Sequence, residues 1–281
     1  MTPKIAEKIA FIILFLATLT VILPAALIIV IIVKNGYSAI SWEFLTQMPR
    51  NGMREGGIFP AILGTIILVA GSVSVALPIG VLSAIYLSEY SRENMLTRII
   101  RLAIINLSGV PSVVYGLFGL SLFVVFLKFG VSIMAGILTL AIMNLPVIII
   151  ASREALQSVP KSFREVSLSL GASKWQTVRY AVLPYAIPGI LTGAILSLAR
   201  TAGETAPILF TVAAFYLPNL PTSILDQVMA LPYHLYIIST QIPNIDIKVR
   251  YGTALVLLML VFIMNLFAIV VRSQFRKKSR W

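Results

Sequence analysis

The sequence has no cysteine, a single histidine and only ten acidic residues among 281. The first absence excludes disulfides and thiolate metal sites. His234 has no second histidine with which to complete a metal site, and it reads as a surface or packing residue. Charged residues make up 11% of the chain against 59% hydrophobic, too little polar side chain to clothe a water-soluble globule. This is the composition of an integral membrane protein. No Gly-x-x-x-x-Gly-Lys-Ser/Thr loop occurs, so the chain carries no nucleotide site of that kind. Low-complexity tracts, repeats and composition shifts that would mark a domain boundary are also missing, and a single transmembrane domain over 1–281 is expected.

What the sequence has in abundance is long apolar runs. Ile9 to Val33 is 25 residues, more than the roughly 20 needed to cross about 30 Å of hydrocarbon. It is too long for the apolar core of a signal peptide, and it reads as a retained anchor. Five more spans are expected, at 60–88, 102–127, 133–152, 185–214 and 251–271, which makes an all-α membrane protein of six transmembrane helices. Of the 22 Lys and Arg residues, fifteen fall at the amino end, between Glu89 and Arg101, between Arg153 and Pro184, and in the tail after Val271. Six fall in the other connections and one, Arg200, within a span. The positive-inside rule then puts both termini and the 153–184 segment in the cytoplasm, in a multi-pass cytoplasmic membrane protein. The net charge of +12 is explained by this orientation and by contact of the basic tail with membrane lipid, not by nucleic acid.

Within the spans, Gly64, Gly71, Ser72 and Gly80 suit close helix packing. The glycine-rich connection around Gly52 to Gly57 reads as a tight turn. Two interruptions, Ser108-Gly109-Val110-Pro111-Ser112 with Tyr115-Gly116, and Asn144-Leu145-Pro146, are either local kinks or the lining of a path. Arg200 lies about 22 Å into its span at 1.5 Å per residue. An isolated charge there costs at least about 2.5 kcal/mol on insertion scales. Glu204 is four residues on, on the same helical face, where it can pair with Arg200. The pair is either a weld between helices or part of a path for an anion, to whose oxygens a guanidinium fork is matched.

The polar segment 153–184 carries its own helix signals. Pro160 suits a first helical position and Gly171 the left-handed position past the end, so a short helix is expected over about Pro160 to Leu170. Ser173 with Gln176 forms a capping-box pattern that starts a second helix running toward Pro184. Phe163, Val166 and Leu170 share one face of the first helix, which can dock into a groove of another protein or lie on lipid headgroups.

Glu165-Val166-Ser167, then Gly171, then Ala181-Val182-Leu183-Pro184 resembles the EAA loop of type I ABC importer permeases. In that family a short coupling helix docks on the ATPase subunit. Gly52-Met53-Arg54-Glu55-Gly56-Gly57, Gly109-Val110-Pro111-Ser112 with Tyr115-Gly116, and Arg200-Thr201-Ala202-Gly203-Glu204-Thr205-Ala206-Pro207 resemble the PstA family of phosphate importer permeases, and the likeness covers nearly the whole chain. It implies a MetI-like fold and a permease subunit, not an enzyme, forming half of a phosphate path. Arg200 and Glu204 would line that path, while Phe163, Glu165, Val166, Leu170 and Gly171 would couple to the ATPase. The implied partners are a second, PstC-like permease, a PstB-like ATPase dimer that uses ATP and Mg, and a PstS-like extracytoplasmic phosphate-binding protein. This chain itself would bind no cofactor. Val166 and Ser167 replace the alanines that name the loop, and Ile150 stands where many such subunits carry a second arginine. A permease for sulfate or molybdate, or an intramembrane enzyme with Glu204 as base, are the competing readings.

Overall fold

The computed structural model describes residues 3–278, and almost all of them belong to helices. In chain order these are α1 (Pro3–Gly36), α2 (Trp42–Thr46), α3 (Phe59–Ile85), α4 (Met95–Ser108), α5 (Ser112–Gly119) and α6 (Ile133–Ser158). Then follow α7 (Lys161–Ser169), α8 (Lys174–Gln176), α9 (Leu183–Gly203), α10 (Ala206–Thr211), α11 (Leu231–Thr240) and α12 (Ile247–Lys278). A two-residue hairpin, β1 (Pro49–Arg50) and β2 (Glu55–Gly56), closes the loop after α2. Gly56 occupies the left-handed region at φ +84°, and a Cβ there would strike the carbonyl oxygen of Met48, so the glycine-rich loop is a tight turn, as expected.

Among the described residues, five helices are long and apolar enough to cross a membrane: 7–39, 59–90, 133–158, 174–203 and 247–276. The stretch expected as a straight third span, 102–127, is instead divided. Helix α4 and the segment Ser112–Phe126 meet at 104°, and only together do they make a sixth crossing. The cause is local, since Pro111 is extended (φ −58°, ψ 141°) and has no N–H to continue the ladder.

The centre of the bundle is α6 packed between α3 and α9. Small residues on α3 set the approach: a Cβ on Gly71 would enter the Ile137 side chain, and one on Gly80 would lie 2.6 Å from Cγ2 of Ile148. In lipid, where apolar burial between helices gains little over contact with acyl chains, such close fit supplies the cohesion. Asn144, fully buried on α6, donates from Nδ2 to Oγ1 of Thr201 on α9 at 2.6 Å, and Thr201 in turn donates to the Ser197 carbonyl at 2.9 Å. Asn144 is thereby an inter-helix tie facing away from any opening. Pro146 is accommodated inside an unbroken α6.

The first helix stands apart, with its apolar side chains exposed along its length. It meets α12 near its end, where a Cβ on Gly36 would lie 2.5 Å from the Tyr251 carbonyl oxygen. His234, on α11 outside the spanning helices, is 3% exposed and is a core residue, not a surface one. Burial without a partner for Nδ1 lowers its pKa to about 4.

Candidate functional site

Two places combine polar chemistry with an unusual backbone: the 153–184 segment and the end of α9. In the first, Pro160 is extended and caps α7, which starts at Lys161, one residue later than its sequence suggests. The helix ends as the glycine predicts. Gly171 has φ +82°, its N–H donates to the Leu168 carbonyl at 3.0 Å, and the Ala172 N–H donates to that of Ser167 at 3.2 Å. This pair of bonds is a Schellman closure. The capping box is present too, with Gln176 N–H on Ser173 Oγ at 3.3 Å and Ser173 N–H on Gln176 Oε1 at 2.7 Å.

Phe163, Val166 and Leu170 do share a face, but not a fate. Phe163, at the end of α7 nearest the bundle, turns inward and meets Tyr185 edge to face at 4.9 Å. Val166 and Leu170, farther from the bundle, are 60% and 83% exposed. The outcome is a groove of about 470 Å³ with Phe163 and Tyr185 on its wall and Val166 and Leu170 at its lip. Glu165 is exposed beside it.

Sequence reasoning missed what fixes α7. The guanidinium of Arg164 donates from Nη2 and Nε to the carboxylate of Glu89, at 2.6 and 3.1 Å, from the π turn Tyr86–Tyr90 that ends α3. It also donates to the carbonyls of Val159 and Leu156, each at 2.9 Å, at the end of α6. One side chain thus joins three elements. Its only signal in the sequence is a basic and an acidic residue in separate polar segments.

At the second place, the expected continuous helix 185–214 is interrupted. Helix α9 stops at Gly203, Glu204 is extended at φ −72° and ψ 133°, and α10 begins at Ala206. Pro207 is the reason: a proline disfavours helical conformation before it and withholds an N–H, and Gly203 offers little resistance to the break. Arg200 and Glu204 nevertheless pair, through Nε and Oε1 at 3.3 Å, with both side chains partly exposed. Among the described residues, neither Nη group of Arg200 has a hydrogen-bond partner. Nothing lies within 4 Å of where a Gly203 Cβ would stand, so the break borders open space. Against the break packs α5, where a Cβ on Gly116 would lie 3.1 Å from the Ala206 carbonyl oxygen. Ile150 lies half-buried on α6. No group of three or more metal-ligating side chains occurs among the described residues.

A family profile described as "Binding-protein-dependent transport system inner membrane component" matches residues 76–280. The chain is 36% identical over 251 residues to "Probable ABC transporter permease protein YqgI" of Bacillus subtilis (strain 168), covering 84% of this chain and 85% of that one. It is 32% identical over 281 residues to "Phosphate transport system permease protein PstA 1" of Mycobacterium tuberculosis (strain ATCC 25618 / H37Rv), covering 99% and 91%. In three dimensions it is similar to a chain of the inward-facing MetNI methionine ABC transporter, with a TM-score of 0.63 at 17% identity, over 76% of this chain and 94% of that one. A helical bundle of five or six spans, a polar helix pair closed by a capping box, and a profile spanning most of the length agree. The chain belongs to the binding-protein-dependent transport system inner membrane components, the permease subunits of ABC importers.

Proposed function

We propose that this permease carries inorganic phosphate, forming one half of a path whose other half is a second, PstC-like subunit. The observation that carries the reading is the polar break at Glu204. There an arginine within the apolar bundle spends only Nε on its carboxylate and leaves both Nη groups for an oxyanion beside open space. The names of relatives such as the mycobacterial phosphate transport permease support the choice of phosphate over sulfate or molybdate. Phosphate would otherwise meet a desolvation barrier, and a fixed guanidinium lowers it without binding tightly enough to prevent release.

Movement of the path is driven by an ATPase dimer that holds ATP and Mg, docked at the α7 groove. Val166 and Leu170 at its lip are the apolar contacts, Glu165 is the polar one, and Gly171 sets the turn. Phe163 acts from the wall of the groove. A PstS-like extracytoplasmic binding protein delivers phosphate to the opposite side. The charge distribution supports a cytoplasmic location for both termini and the α7 segment.

The test is phosphate uptake in reconstituted vesicles at matched amounts of assembled complex. Arg200→Ala abolishes uptake while assembly persists, and Arg200→Lys retains part of it because charge remains without the fork. Wild-type uptake by Arg200→Ala would refute a role in the path. Loss of assembly in both Arg200→Ala and Glu204→Gln would make the pair a helix weld.

A further inference from the structure

Helix α1 leans on α12 only near their crossing at Gly36 and Gly252, and below that crossing the two diverge. The gap is a groove of about 580 Å³ between α1, α11 and the first turns of α12. Its walls are apolar: Ile28, Ile31 and Ile32 of α1 face Leu235 and Ala254. Its mouth is not. Arg250, Tyr251 and Ser239 gather there, and Arg250 is without an ion pair or side-chain hydrogen bond among the described residues, with its Nε shielded from solvent. The nearest carboxylate along the helix, Asp246, accepts the Lys248 backbone N–H at 2.9 Å and forms no ion pair with Arg250.

We propose that this groove is a binding site for an anionic phospholipid, with an acyl chain along the α1 isoleucines and the headgroup phosphate on Arg250. The argument is one of charge and depth. An unpaired guanidinium in the first turn of a spanning helix stands at headgroup level. Ile28 is eight residues before the Gly36 crossing, about 12 Å along the axis at 1.5 Å per residue, and so reaches into the hydrocarbon. A cation at one end of an apolar slot opening sideways from a membrane helix complements a phosphodiester with a fatty tail. A free phosphate would leave the apolar walls unfilled, and a neutral hydrocarbon would leave the guanidinium unpaired. The occupied groove would brace α1, whose other faces meet nothing in this chain.

The test is retention of phosphatidylglycerol by the full permease complex, purified in detergent from vesicles of phosphatidylglycerol and phosphatidylcholine and weighed by native mass spectrometry. Wild type retains phosphatidylglycerol over phosphatidylcholine. Arg250→Gln lowers that preference about fivefold, the effect of one basic residue at a membrane surface. Arg250→Lys keeps most of it, and Ile31→Trp, which fills the slot, lowers retention of both lipids while Arg250 remains. Retention unaltered by Arg250→Gln would overturn the proposal. So would efficient photo-cross-linking of a benzophenone side chain at position 31 to the second permease subunit, since protein would then occupy the groove.

Discussion

Arg164 and Glu89, 75 residues apart in sequence, meet through a short Nη2 to Oε1 contact of 2.6 Å, and the same guanidinium holds two carbonyls at the end of α6. Both side chains are largely shielded, 21% and 10% exposed. Removal of one partner therefore leaves a desolvated charge, which for buried pairs costs about 3 kcal/mol or more. Motion imposed on α7 is transmitted to α3 and α6 through this one residue.

Arg164→Ala should lower the melting temperature of the complex and leave ATP hydrolysis less dependent on loaded binding protein. The exchange Glu89→Arg with Arg164→Glu should recover part of the pairing but not the carbonyl contacts. Thermal scanning together with stimulated hydrolysis checks this. Unchanged coupling in Arg164→Ala would mean that α7 is positioned by other contacts.

Gly171→Val should weaken docking of the ATPase, and for a backbone reason alone. Nothing lies within 4 Å of where its Cβ would stand, so the cost is that of a β-branched residue at φ +82°, about 1 to 2 kcal/mol. Gly171→Asn, which tolerates the left-handed region, should be nearly neutral. Co-purification of the ATPase with each variant separates the conformational effect from loss of surface.

Asn144→Leu removes the 2.6 Å bond to Thr201 one residue from Arg200. Such bonds between membrane helices are worth about 0.6 kcal/mol on average and up to about 1.7. Assembly should survive while phosphate uptake falls several-fold, because α9 loses the contact that fixes the rotation of its last turn. Uptake at the wild-type rate would confine Asn144 to packing.

Acidification should destabilise the fold through His234. Its pKa is held at about 4, below the ordinary 6.5, so the unfolded chain takes up a proton before the folded one does. Stability is complete above pH 6.5 and drains as pH falls toward 4, by about 3 kcal/mol for a shift of this size. His234→Gln should flatten the melting temperature between pH 7 and 5. An unchanged slope would assign acid lability to other groups.

The class, the spans and the cytoplasmic helix pair were legible because each depends on local rules. Apolar length, basic asymmetry, a glycine after a helix and a Ser-x-x-Gln box act within a few residues. The break before Pro207 had its signal in Gly203 and Pro207, but hydropathy passes over it, because Ala206, Pro207 and Ile208 continue the apolar run. Periodicity placed Phe163, Val166 and Leu170 on one face correctly. It carried no information on which end of α7 abuts the bundle, and that decides why Phe163 turns inward. The bond between Arg164 and Glu89 depends on tertiary closure alone, since neither segment prefers the other without α3 and α6 side by side.

The right-angled turn at Pro111 alters the electrical thickness of the protein. Once α4 is turned aside, only Ser112 to Phe126 remains to span the bilayer there, 15 residues or about 22 Å, against a hydrocarbon layer of about 30 Å. The layer must be drawn in around this segment, at a cost of fractions of a kcal/mol per Å of mismatch. Because α5 packs on α10, the thinned region borders the break that carries Arg200. An ion crossing there has several ångströms less of low-dielectric material to traverse, so part of the barrier is removed by shape before any charge is placed in its way.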